Sequence, residues 1–142
     1  MTKSIKCEVV SAEASIFSGE AEQVVAAGSM GDLGILAGHT PLLTQLAPGP
    51  VRVIRGEGEE DHFYVSGGFL EVQPTVVTVL ADTAVRANDL DEAAAEQARQ
   101  EALQAMQDKS AELDYTRAAA ELAEAMAQLR TIQQLRRKAG RG

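Results

Sequence analysis

Val85-Arg86-Ala87-Asn88-Asp89-Leu90-Asp91-Glu92-Ala93-Ala94-Ala95 divides a 142-residue chain into two parts of different composition. All four prolines (Pro41, Pro48, Pro50 and Pro74) lie ahead of it, as does every glycine except Gly140 and Gly142. Beyond it the residues are mostly Ala, Glu, Gln, Leu and Arg, strong helix formers apart from a few caps. Turn-rich β-structure is expected on one side and helix on the other. The fold class is therefore α+β, with an antiparallel β-sandwich over residues 1–87 and a two-helix hairpin over 88–142.

Ahead of the break, Ile5, Cys7 and Val9 alternate with Lys6 and Glu8, the period of a half-buried strand. Similar short segments fall at 21–27, 51–55, 62–66, 69–73 and 75–81. Ser18-Gly19, Gly28-Ser29, Pro48-Gly49-Pro50, Gly56-Glu57-Gly58, Gly67-Gly68 and Pro74 read as the turns between them. Closely spaced short strands without intervening helices indicate a sandwich or barrel. Gly28-Ser-Met-Gly31-Asp-Leu-Gly34 lacks the Lys-Ser/Thr pair of a phosphate loop and reads as a turn-rich connection. His39 and His62 are far apart in sequence and have no metal-ligand spacing, so no metal is expected and His39 reads as a satisfied loop histidine. No nucleophile, base and orienting group can be assembled, so the chain is not expected to be an enzyme by itself. Cys7, the single cysteine, reads as a buried small apolar residue.

Beyond the break, Asn88 or Asp89 can cap a helix running to about Gln107, with a narrow face of Ala95, Ala98, Ala102 and Met106. Asp108-Lys109-Ser110 is the expected break. In the next helix Tyr115, Ala119, Leu122, Met126, Leu129 and Ile132 or Gln133 recur at spacings of four and three, giving one apolar stripe. Full burial of Leu122, Met126 or Leu129 is worth roughly 1.5–3 kcal/mol each, and alanines add little. Such a hairpin must lean on the β unit or on a partner, yet its helices can persist when it leaves. A docked arm that can extend is the expectation, about 40 Å long over residues 112–138 at ~1.5 Å per residue.

Charge bounds the partners. The net charge of −8 divides as −6 over residues 1–88 and −2 over 89–142, which argues against nucleic acid. Arg130, Arg136, Arg137, Lys138 and Arg141 make the last stretch wholly basic. That tip reads either as a solvated helix end suited to the macrodipole or as a contact for an acidic partner. The N-terminus lacks the long apolar core of a signal peptide and no run approaches the ~20 residues of a membrane span. A soluble protein without direct membrane insertion is expected.

One resemblance joins these readings. Gly31-Asp-Leu-Gly-Ile-Leu-Ala-Gly-His-Thr-Pro-Leu-Leu-Thr-Gln-Leu-Ala-Pro-Gly-Pro-Val-Arg-Val53, Phe17-Ser18-Gly19, Tyr64-Val-Ser-Gly-Gly-Phe-Leu-Glu-Val72 and Leu90-Asp91-Glu92 resemble the epsilon subunit of bacterial F-type ATP synthases, in the family's order and over nearly the whole chain. The resemblance implies a ten-stranded sandwich and a helix pair in the central rotor of a proton-translocating synthase, at the cytoplasmic face of the bacterial inner membrane. It implies that the sandwich binds the gamma subunit and the c-ring. The arm (Tyr115, Leu122, Met126, Leu129, with Arg130, Arg136, Arg137 and Lys138 at its tip) transiently reaches the catalytic alpha and beta subunits and inhibits ATP hydrolysis. Asp32 corresponds to a carboxylate facing the c-ring, or is simply a turn former, and His39 lies in the adjoining signature. Some members bind ATP through an Ile/Leu-Asp-x-x-Arg-Ala motif. Leu90, Asp91 and Ala95 keep that motif, but Ala94 stands for its arginine, and Glu101, Glu124 and Gln128 stand where further arginines lie. Carboxylates oppose a polyphosphate, so ATP binding is expected to be weak or absent and no cofactor is implied.

Overall fold

The computed structural model describes residues 3–107 and 112–140. Nine strands come first: β1 (Ile5–Ser11), β2 (Ser15–Ala21), β3 (Gln23–Gly28), β4 (Gly31–Leu36), β5 (Leu42–Ile54), β6 (Glu60–Val65), β7 (Gly68–Val72), β8 (Val76–Ala81) and β9 (Ala84–Arg86). Two helices follow, α1 (Glu92–Gln107) and α2 (Glu112–Gly140). The described residues thus hold nine strands where about ten were expected.

The strands form one hydrogen-bonded path, β2-β1-β8-β7-β5-β3-β4, with β6 added on β5 and β9 on β6. All pairings are antiparallel except β1 with β8, which is parallel. The path doubles back at β5. The first part of β5, Leu42–Leu46, pairs with β7, and the second part, Gly49–Ile54, pairs with β6. Inward side chains from both layers meet in one core that includes Ile5, Val9, Val24, Ile35, Val51, Phe63, Leu70 and Val79. That core, with the partly buried residues packed on it, draws on nothing beyond Ala84.

Two sequence readings change here. Pro48-Gly49-Pro50 is not a turn but lies inside β5. Opposite it, β3 shifts register between Ala26 and Gly28, so the ladder is already interrupted where the prolines lack their N–H donors. Gly31-Asp32-Leu33-Gly34 is likewise strand rather than connection, paired along β3. Glycines hide a strand from a reading based on side-chain alternation.

In the arm, α1 begins at Glu92, later than expected, because the cap is Asp91: its Oδ1 accepts the Ala94 N–H at 3.1 Å. Asn88 and Asp89 instead belong to a 3-10 turn, Ala87–Asp89. The expected break at Asp108-Lys109-Ser110 lies outside the described residues. Arg86, just ahead of the turn, is fastened to the sandwich. Its guanidinium lies 5.2 Å from the Phe63 ring centroid and donates to the Ile16 carbonyl at 3.2 Å. The path from sandwich to arm therefore starts from a fixed point.

Gly68 has φ +130°, and a Cβ there would sit 2.1 Å from the Leu80 carbonyl oxygen. Gly68→Ala is expected to destabilise the sandwich by at least roughly 1–3 kcal/mol, the scale of backbone strain alone, read as a lower urea midpoint with an unchanged slope.

Candidate functional site

The arm docks through α2. This helix packs on β5, β6 and the 3-10 turn, and α1 lies along α2. Strand β6 shows why. His62, Phe63, Tyr64 and Val65 are all buried, although alternate residues of a strand face opposite ways. Phe63 and Val65 enter the sandwich core. His62 and Tyr64 point out of it and are covered by the arm: Gln134, Arg137 and Lys138 line a cavity with His62, and Glu124 and Gln128 lie near Tyr64.

The contact is made of small groups. Ala127 and Thr131, one turn apart on α2, are buried, and the Thr131 hydroxyl donates to the Ala127 carbonyl at 2.8 Å. Gly49 lies at the crossing, where a Cβ would come within 2.7 Å of the Ala27 Cβ and 3.3 Å of Arg130 Nη2. Toward α1 the buried α2 positions include Ala125 and Ile132, and Leu122 and Leu129 are half-buried. Ala95 and Ala102 are buried on α1. The stripe read from hydrophobicity is therefore displaced: Tyr115 and Met126 are about half exposed, at 52% and 50%. Alanines permit close helix approach, but carry too little hydrophobicity to mark the face in sequence.

The basic tip is largely occupied in this docked state. Arg130 donates to the Pro48 carbonyl at 3.4 Å. Arg136 pairs with Glu92 at the start of α1 at 2.6 Å, and Lys138 pairs with Glu60 of β6 at 3.3 Å. Arg52 also reaches Glu60, at 3.0 Å. Arg137 forms no ion pair among the described residues. Arg141 lies outside them.

Burial unfits the polar groups beneath α2 for ionisation. His62 has a lowered pKa because burial disfavours its cation, and Arg52 and Lys138 add to that against the opposing pull of Glu60 and Asp61. Neither ring nitrogen has a hydrogen-bond partner. Burial, with Glu124 nearby, pushes the Tyr64 phenol up to about 12. Its hydroxyl has no hydrogen bond of standard geometry, although Gln128 lies close enough to favour the phenolate slightly. Cys7 is fully buried, and burial raises its thiol to about 12. It is packing, not a nucleophile.

The other sequence candidates fall in separate places. Asp32 is exposed on β4 beside the β3–β4 turn and borders a small crevice with Pro50, Arg52 and Gln134. His39 lies past the other end of β4, with Nδ1 donating to the Thr40 carbonyl at 2.7 Å. The structure does not bring the two together. In the degenerate nucleotide motif, Asp91 serves as helix cap, Ala94 is exposed, Leu90 half-buried and Ala95 buried. Glu101, Glu124 and Gln128 do converge, with Glu121, in a crevice between the helices.

Sequence reading missed one feature. Phe69 on β7 lies opposite Leu80 on β8, and Leu43 lies nearby on β5. All three are exposed, Leu43 at 67%, and form an apolar row on the outer face of that layer. The alternation of Phe69 and Glu71 against Leu70 and Val72 carried the signal for Phe69. Met30, at the β3–β4 turn, is fully exposed.

Comparison with known proteins places this geometry. Residues 4–87 match the beta-sandwich domain of the ATP synthase delta/epsilon chain, and residues 88–133 match its long alpha-helix domain. The chain belongs to the ATP synthase delta/epsilon family. It is 74% identical over 138 residues to the ATP synthase epsilon chain of Chromohalobacter salexigens, covering 97% of this chain and 98% of that one. A chain from the Euglena gracilis mitochondrial ATP synthase (OSCP/F1/c-ring, rotational state 1) superposes with TM-score 0.81 at 25% identity, covering 87% of this chain and 78% of that one. One from the Tetrahymena thermophila mitochondrial ATP synthase central stalk and c-ring, with TM-score 0.60 at 11% identity over 92% and 98% of the two chains, shows the shared fold. This epsilon-type chain is a stalk subunit of an ATP synthase and is not itself catalytic. No helix among the described residues is long and apolar enough to cross a membrane.

The buried His62 gives a pH test. Its folded pKa lies below the ordinary 6.5, so its share of stability is present above that value and is lost as pH falls through the folded pKa. In chloride buffer the unfolding free energy is expected to decline between pH 7 and 5.5, and His62→Gln should flatten that decline. Parallel pH profiles for the two proteins in urea melts would exclude this role.

Proposed function

We propose that this chain couples and regulates the rotor of a proton-translocating ATP synthase at the cytoplasmic face of the bacterial inner membrane. The sandwich is the anchor. Its exposed row of Leu43, Phe69 and Leu80 is suited to an apolar face of the gamma subunit. The edge carrying Asp32 and the loop carrying His39 are suited to the polar rim of the c-ring. The arm is the regulator. It leaves the sandwich, extends along gamma toward the alpha and beta subunits, and opposes ATP hydrolysis.

The observation that carries this reading is the composition of the docked contact. On α2 the buried residues are mainly Ala118, Ala125, Ala127, Thr131 and Ile132, and beneath it the larger groups covered are His62 and Tyr64 of β6. A buried methyl contributes about 0.8 kcal/mol, and exposed ion pairs contribute about 0–1 kcal/mol each. Undocking thus costs little beside the sandwich core, which stays whole because it takes no residue from the arm. It also frees Arg130, Arg136 and Lys138 from Pro48, Glu92 and Glu60, so an acidic receiver in the catalytic core gains the cations that the sandwich gives up.

ATP is not the ligand that holds the arm down in this reading. The crevice between α1 and α2 presents Glu101, Glu121 and Glu124, which repel a polyphosphate.

Two measurements test these claims. Reconstituted with the catalytic core, a chain lacking residues 89–142 is expected to assemble and to raise ATP hydrolysis several-fold while synthesis is retained. Unchanged hydrolysis would remove the regulatory role. Calorimetric titration of the full chain with ATP is expected to show no micromolar binding, and a micromolar constant would defeat the electrostatic argument.

A further inference from the structure

The cavity where the end of α2 meets β5 and β6 is partly open to solvent, has a volume of about 240 Å³ and is lined by Arg52, Glu60, His62, Gln134, Arg137 and Lys138. Its charge balance is positive in a chain of net charge −8. Glu60 is the acid in its wall, and it already receives Arg52 at 3.0 Å and Lys138 at 3.3 Å. Arg137 is left without a carboxylate among the described residues. His62, only 7% exposed, has both ring nitrogens unsatisfied, and Gln134 Oε1 is also buried and unpaired. Buried polar groups ordinarily have partners. Here the unsatisfied groups and the surplus cation surround the same space.

We infer that this cavity binds a small oxyanion of the phosphate class, held by the Arg137 guanidinium and a His62 N–H, with Arg52 behind them and the Gln134 amide turned so that its Nε2, not the unpaired acceptor Oε1, faces the anion. A tetrahedral oxyanion accepts several charge-assisted hydrogen bonds at once, so it satisfies donors from β6 and α2 together. It thereby ties the arm to the sandwich. The acids that oppose it are Glu60, already neutralised, Asp61 on β6, engaged by Arg55 at 2.7 Å, and Asp32, which borders the neighbouring crevice. Bound anion also favours the His62 imidazolium, so affinity rises as pH falls. The site lies apart from the acidic crevice between the helices. It needs the docked arm, not the arm's effect on hydrolysis, so its failure leaves the regulatory reading standing.

The test uses the full chain at constant ionic strength, with chloride as reference. Inorganic phosphate at pH 7 is expected to slow amide hydrogen exchange along 112–140 several-fold, and Arg137→Gln, a change at an exposed residue, should weaken binding at least tenfold. Sulfate, whose charge is constant over the range, should bind more tightly at pH 6 than at pH 8. His62→Gln should erase that difference. ATP as a second probe separates the sources: binding no tighter than phosphate assigns the cavity to the free anion, and tighter binding lost in Arg137→Gln assigns it to a nucleotide's terminal phosphate. No protection by either probe, or equal binding by the native chain and Arg137→Gln, overturns the inference.

Discussion

Because Leu42–Ile54 pairs with β7 through its first part and with β6 and most of β3 through its second, one backbone must belong to both layers of the sandwich. The rest of the molecule follows from that constraint. The strand has to bend where the layers part, and the bend is made of Pro48-Gly49-Pro50 opposite a register shift in β3. Residues that cannot donate, or that carry no side chain, are tolerated there. They leave a low place on the sheet surface. Helix α2 crosses at that place, with Arg130 close against Gly49 and bonded to the Pro48 carbonyl. The docking site of the arm is thus a by-product of how the sandwich closes.

The two-part architecture was legible because each half repeats one local rule. Alternation marked β1, β7 and β8, and helix-forming residues marked α1 and α2. What could not be read depended on the meeting of distant segments. β4 is written in glycines, and the first part of β5 is masked by the prolines that follow it. His62 and Tyr64 lie on a strand whose second face is covered by a helix some seventy residues away, and nothing local announces that cover. The arm's interface was misplaced for a related reason. Hydrophobicity points to Tyr115 and Met126, whereas close approach selects Ala118 and Ala125.

The resemblance names residues in sequence, and the structure sets how those residues stand in space. Asp32 and His39 are neighbours in the signature, but Asp32 sits near the start of β4 and His39 lies past its end. Asp91, which the resemblance matches to a nucleotide motif, serves here as a helix cap, so its presence alone says little about nucleotides. Glu101, Glu124 and Gln128 do meet, and their meeting makes the crevice acidic. The exposed row of Leu43, Phe69 and Leu80 required the sheet register before its members became neighbours.

The plainness of the surface around Gly49 has a kinetic side. Interlocked helices must withdraw side chains from holes before they separate, and that withdrawal adds a barrier above the difference in stability. Where α2 crosses β5 it meets bare backbone and offers mainly Ala127 and Thr131 in return. Little has to be unthreaded. In the proposed motion, departure and return would then meet little barrier beyond the free-energy difference between the docked and extended states. If the arm leaves as proposed, it would re-equilibrate promptly when conditions around the rotor change, without holding a memory of its former position.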